Sequence, residues 1–199
     1  MSGRNSAVFL DRDGTINEEV NFISRPDQLV LIPGAAEAVR LLNDQGFLIC
    51  VISNQSGIAR GYLTEDDLVP IHARLNDELR QAGAHLDRIS YCPHHPTEGL
   101  PPYNITCRCR KPATGMLEDA ARDLDIDLGR SFLVGDRLAD IEAGKRAGAT
   151  AILVLTGYGR QALSELKRDG AAQPDCVTRD LRAAVDFILK TSGSTTRND

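Results

Sequence analysis

A chain of 199 residues, 42% of them hydrophobic, is long enough for one domain with a filled core. Its net charge of −5 offers no broad basic surface for nucleic acid, and no apolar run reaches the ~18–20 residues that a membrane span needs. The first six residues are polar and the apolar run behind them stops at Asp11, so no signal peptide is expected, a cytoplasmic location follows, and the five cysteines are not expected to form disulfides.

In chain order, residues 7–10 read as a buried strand, followed by "DRDGT". There Asp11 and Asp13 are spaced to reach one side of an extended turn, and Gly14 can take a positive φ. Helical spacing follows over 34–46, with Ala35, Val39 and Leu42 on one stripe and Gly46 as the C-cap. A second apolar strand, 47–53, leads into Ser53 and Asn54. Thr64 and Asp67 open a helix over 64–83, which Pro70 is expected to kink unless it lies near the first turn. Residues 92–112 break the rhythm: they are rich in proline, cysteine and histidine and have no periodicity. Helices are expected over 115–125 and 140–148, and strands over 131–135 and 150–155. A short strand and a helix capped by Asp180 close the pattern at 190, and the polar tail 191–199 is expected to be flexible.

Strands alternating with helices predict a single α/β domain, 1–190, built on a parallel sheet with right-handed crossovers. Ligands in such sheets gather beyond the carboxyl ends of the strands. The reactive residue types fall at those ends. Two close carboxylates repel unless a cation holds them, and Mg²⁺ prefers such oxygen ligands. Ser53 and Asn54 can offer a hydroxyl and N–H groups to phosphate oxygens. Arg110 and Lys111 supply positive charge, and Asp136 with Asp140 supplies two more carboxylates. Taken singly, these are a solvated turn, a polar turn, a basic pair and a helix cap. Together and in this order they point to phosphoryl chemistry.

The zinc reading rests on the irregular segment. Cys92 and His94, then Cys107 and Cys109, form two ligand pairs with twelve residues between them. Three thiolates and one imidazole fit a closed, structural, tetrahedral zinc site within a loop spanning 92–109. His95 is left out because four ligands complete the site. Cys50 and Cys176 read as buried hydrophobes, and His72 and His85 as surface residues. The loop ends at Arg110 and Lys111, so zinc closure is expected to place the lysine.

In "DRDGT", "SN", the Lys111 of "RKP" and "GDRLAD", the sequence resembles the haloacid dehalogenase-like phosphatases. The resemblance implies an α/β fold with a Rossmann-like parallel sheet, and a Mg²⁺-dependent phosphatase working through an aspartyl phosphate. Asp11 would be the nucleophile and Asp13 the general acid and base. Ser53 and Lys111 would bind the phosphoryl oxygens. Mg²⁺ would be held by Asp11, the backbone carbonyl of Asp13, and Asp136, with Asp140 orienting its neighbours. No large cap domain is expected, because the inserts after the first two motifs are too short to fold alone. The implied partner is a small-molecule sugar bisphosphate; nothing in the sequence suggests an obligate oligomer, so a monomer is expected. Asn54, Gln55, Ser56, Arg60, Arg110 and Arg137 are the candidate substrate contacts, the arginines for the phosphate that is not cleaved. Histidinol phosphate or another small phosphomonoester is the alternative substrate, and a catalytically silent zinc-bearing binding module the remote alternative.

Overall fold

The protein is described by a computed structural model that covers residues 4–166 and 172–195. Side-chain alternation along the strands decides how the sheet is covered. Val8 and Leu10 of β1 (Ala7–Leu10) face one layer, formed by α1 (Ala35–Asp44), α2 (Glu65–Gln81) and α6 (Leu181–Thr195). Ala7 and Phe9 point the other way, onto Met116 and Leu117 of α3 (Gly115–Asp123) and Ala143 of α4 (Leu138–Ala147). The remaining strands are β2 (Leu48–Asn54), β3 (Arg88–Cys92), β4 (Phe132–Gly135), β5 (Thr150–Val154) and β6 (Cys176–Thr178). All pair in parallel, in the order β3-β2-β1-β4-β5-β6. The order reverses between β1 and β4, which opens a crevice at their carboxyl ends. Asp11 follows β1 directly and Asp136 follows β4.

Two elements differ from the expected pattern. β3 alternates Arg88 and Ser90 with Ile89 and Tyr91 on an edge, so it lacks the continuous apolar run that marks the inner strands. Its consequence is local: Cys92 pairs in register with Asn54, so the first cysteine of the irregular loop starts from the sheet. The short α5 (Gly159–Glu165), with seven residues, is too brief to show a period.

Caps appear where the residue types predict them. The Thr64 hydroxyl accepts from the Asp67 N–H at 3.2 Å, and the Asp67 carboxylate accepts from the Thr64 N–H at 2.7 Å. Asp180 accepts from the Ala183 N–H at 2.8 Å. Gly46 takes φ +80° behind α1. α2 runs unbroken through Pro70, which lies on its exposed side in the second turn. α6 continues to Thr195, beyond the expected end at 190, and residues 196–199 of the expected tail lie outside the described residues. Cys50 is buried as expected, whereas Cys176 is only half-buried on β6. Neither insert holds a domain: from β1 to α1 there is only irregular chain with one turn of 3-10 helix, and from β2 to α2 only a short loop. Among the described residues, no helix is long and apolar enough to cross a membrane.

Candidate active site

Residues a hundred positions apart meet where β1 and β2 end. The Lys111 ammonium lies 2.8 Å from Asp11 Oδ1 and 2.6 Å from Asp140 Oδ1, and donates to the Ile52 carbonyl at 2.8 Å. Its backbone is clamped as well. Lys111 N–H donates to Asn54 Oδ1, and the Asn54 amide donates back to the Lys111 carbonyl, both at 3.0 Å. Burial alone would lower the lysine's pKa, but Asp11 and Asp140 outweigh it and push the pKa up, so the ammonium stays charged. Asn54 lines the pocket, yet both ends of its amide are engaged here. Its place in the geometry is to hold Lys111.

Three carboxylates cluster here, and two of them, Asp11 and Asp140, meet the ammonium. Asp11, Asp136 and Asp140 offer oxygens that lie within 4.8 Å of one another, all buried. Burial, with Asp140 and Asp13 nearby, raises Asp11 to about 7 even though Lys111 opposes the shift. Burial, then Asp11 and Asp140, raises Asp136 to about 8. Asp136 Oδ2 accepts from the Tyr158 N–H at 2.7 Å, but Oδ1 is buried and meets no hydrogen-bond donor among the described residues. An orphaned buried oxygen beside excess negative charge fits a divalent cation with oxygen ligands. Asp140 has less capacity to bind it, because its oxygens already serve Lys111 and the Arg137 N–H (2.9 Å). Two glycines make room for Asp136. A Cβ on Gly14 (φ +80°) or Gly157 (φ +50°) would come within 2.2 Å of Asp136 Oδ2.

Asp13 is held differently. Arg12 donates to it through Nε (3.1 Å) and Nη2 (2.9 and 2.8 Å), Asn17 at 2.9 Å and Gln55 at 2.9 Å. Burial opposes ionisation, but these donors, led by Arg12, hold the carboxyl below its usual range. Gln55 also donates to the Ser53 hydroxyl at 2.7 Å, joining two of the expected catalytic residues. Arg12 escapes a sequence reading, because an arginine in a polar turn defaults to solvent. Here it is wholly buried, with Nη1 3.4 Å from His72 Nε2. His72, expected at the surface, is half-buried on the inner side of α2. Burial and then Arg12 push it down to about 4, so its ring is neutral. His85 is exposed as expected.

A pocket of about 350 Å³ opens over these groups. Ser56, Arg60, Arg110 and Arg137 all line it. Arg60 pairs with Glu98 and lies over the Phe22 ring, and Arg110 donates to the His94 carbonyl at 2.9 Å. Arg137 stacks on Tyr158 at 3.9 Å and meets Glu19 at 3.3 Å. Glu19 and Tyr158 carry no motif that would single them out in the sequence. Tertiary folding alone brings them to the rim.

The irregular loop converges on one point. Cys92 Sγ lies 3.5 Å from Cys107 Sγ and 3.6 Å from His94 Nδ1, and Cys109 Sγ lies 3.2–3.5 Å from the other three ligand atoms. Zinc bonds of about 2.3 Å to sulfur imply tetrahedral edges of roughly 3.7 Å, close to these separations. Direct sulfur–sulfur bonding would need about 2.05 Å. The loop is also tied from outside. Glu65, in the first turn of α2, accepts from the Tyr91 hydroxyl at 2.6 Å and the Tyr103 hydroxyl at 2.7 Å. Gly99 (φ +95°) lets the loop backbone press against Ala59, where a Cβ would sit 2.1 Å from the carbonyl oxygen.

The parallel sheet is that of the haloacid dehalogenase-like class, and the named relatives make this chain a phosphoric monoester hydrolase. The HAD-hydrolase-like family model matches residues 108–184. A protein of Thermosynechococcus vestitus named D-glycero-D-manno-heptose-1,7-bisphosphate 7-phosphatase is 48% identical, over 92% of this chain and 94% of its own length. The D-glycero-beta-D-manno-heptose-1,7-bisphosphate 7-phosphatase of Rhodopseudomonas palustris is 43% identical, over 83% and 94%. A solved structure of D,D-heptose 1,7-bisphosphate phosphatase from B. bronchiseptica, complexed with magnesium and phosphate, aligns with a TM-score of 0.83 at 36% identity, over 94% of this chain and 99% of that one. The chain belongs to the D-glycero-D-manno-heptose-1,7-bisphosphate 7-phosphatase family.

Proposed function

We propose that this chain removes the 7-phosphate of D-glycero-D-manno-heptose 1,7-bisphosphate, using Mg²⁺ for catalysis and zinc to order the loop that carries Lys111. The observation that carries the reading is the Asp11–Lys111 contact beside the unpartnered Asp136 oxygen. The shared substrate name of the relatives supports the choice of sugar. On this reading the product is a heptose 1-phosphate for the synthesis of nucleotide-activated heptose, a precursor of lipopolysaccharide core or another surface glycan.

Asp11, the Asp13 backbone carbonyl and Asp136 would hold the Mg²⁺, which supplies charge neutralisation at the phosphoryl group. An Asp11 oxygen attacks phosphorus in line. The bond to the sugar's C7 oxygen breaks, its electron pair stays on that oxygen, and Asp13 delivers a proton there. Asp13 is ionised in the resting site, so it takes up this proton from solvent water as substrate binds. Water then attacks the phosphorus of the aspartyl phosphate and passes a proton to Asp13. The Asp11–phosphorus bond breaks, freeing the carboxylate and inorganic phosphate. Lys111 and Ser53 hold the phosphoryl oxygens through both steps, Gln55 bridges Ser53 to Asp13, and Arg60, Arg110 and Arg137 meet the second phosphate.

Phosphate release should be compared for heptose 1,7-bisphosphate, fructose 1,6-bisphosphate, histidinol phosphate and an aryl phosphate, each with Mg²⁺. The heptose ester is expected to give the highest kcat/KM. A preference for histidinol phosphate would reject the sugar assignment, and no turnover of any ester would reject the enzyme reading. The glycine wall offers a separate check. Gly157→Ala forces Asp136 aside, so the Mg²⁺ concentration for half-maximal activity should rise on the order of 10-fold or more. An unchanged Mg²⁺ dependence would remove Asp136 from the cation site.

A further inference from the structure

Arg12 heads the fully buried side chains by volume, yet it is not among the residues lining the pocket. A guanidinium away from water is costly unless its donors are met. Nε and Nη2 are met by Asp13, through a fork that reaches both carboxylate oxygens. Nη1 points the other way, to His72 Nε2 at 3.4 Å. A neutral imidazole carrying its proton on Nδ1 presents a lone pair there. His72 is itself fixed, on α2 and 5.8 Å from the Tyr91 ring, whose hydroxyl is bound by Glu65. The turn that carries Arg12 is wound around it, because Ile16 and Asn17 both donate backbone N–H to its carbonyl (2.9 and 3.1 Å).

We propose that Arg12 and His72 form a buried positioning bracket for Asp13. His72 secures the far side of the guanidinium, and the guanidinium fork sets the position and angle of the carboxylate toward the leaving oxygen. Neither residue touches substrate. The proposal rests on the phosphatase reading above, in which Asp13 moves the proton. Simple neutralisation of Asp13 needs only a positive charge, which lysine would supply. Positioning needs the planar fork, which lysine lacks.

Leaving-group dependence separates these roles. A sugar alkoxide needs a proton as it departs, whereas p-nitrophenolate is stable as an anion. Alcohol or phenol release should be followed in the first turnover, with Mg²⁺, for wild type, Arg12→Lys, His72→Phe, His72→Gln and Asp13→Asn, each checked for cooperative unfolding. General acid catalysis is worth roughly 10²–10⁴-fold, so partial misplacement by Arg12→Lys should cost the heptose ester about 10–100-fold in rate, and the aryl ester less than about 3-fold, with little change in KM. His72→Phe should show the same selectivity to a smaller degree, and His72→Gln, which restores an acceptor, should recover the wild-type ratio. Equal losses on both esters for Arg12→Lys, or a His72→Phe ratio equal to wild type, would overturn the bracket. If Asp13→Asn itself loses both esters equally, the acid role of Asp13 falls first and takes the bracket with it. A selective Asp13→Asn beside an unselective Arg12→Lys removes the bracket alone.

Discussion

Asp11→Asn is expected to lower kcat by a factor on the order of 10⁴ or more, the scale on which loss of a catalytic nucleophile acts. The substitution keeps shape and volume and removes only the attacking oxygen's charge. Lys111 still has Asp140 and the Ile52 carbonyl as acceptors, so the local structure should persist. Burial, with Asp140 and Asp13 nearby, disfavours the charge on Asp11, so a neutral amide should leave thermal unfolding at or above the wild-type temperature. Activity and stability thus separate, which marks the loss as chemical. Acid-quenched protein examined by mass spectrometry should carry a phosphoryl group on Asp11 in the wild type and none in the variant. Turnover surviving in Asp11→Asn would rule out this nucleophile.

Cys107→Ala should release the proposed zinc and lower kcat/KM by about 10–100-fold, while the Mg²⁺ requirement persists. Residues 93–114 contain no helix or strand, and Leu100 and Ile105 on this stretch are largely exposed, so burial contributes little to its order. Structural zinc in small peptides is worth roughly 10–16 kcal/mol, far more than the ~1 kcal/mol of an ordinary hydrogen bond. The loss is expected to be partial because Lys111 has anchors of its own: the Asn54 clamp and its two carboxylate partners. Metal content measured beside kinetics on the same sample tests the link. A zinc-free variant with full kcat/KM would show that the Asn54 clamp suffices and that the metal does not position the lysine.

The parts of the site legible in the sequence are those set by residue type at a strand end. Asp11, Ser53 and Asp136 each stand just beyond, or at, the end of an apolar run, and a parallel sheet brings such ends together. The cysteines were legible for the same kind of reason, since three thiols and a histidine at short spacing have few other uses on a loop. β3 was not, because an edge strand with polar alternation looks like loop. Its absence from the sequence pattern hid the in-register pairing of Cys92 with Asn54, which joins the cysteine loop to the turn after β2.

From local order alone, the sequence determined the alternation of strands and helices, the caps at Thr64 and Asp180, and the inventory of reactive groups. These depend on near neighbours and on hydrophobic periodicity. Tertiary structure decided what each polar group does. Asn54 and Arg110 have the same claim on a phosphate in the sequence, yet one is committed to the Lys111 backbone and the other still lines the pocket. Arg12 and His72 lie sixty residues apart, His72 reads as a surface residue and no pattern singles out Arg12, and only the packing of α2 beside the first turn brings them against each other. The physical reason is that a charge can leave water only where partners meet its hydrogen bonds, and here those partners come from distant parts of the chain.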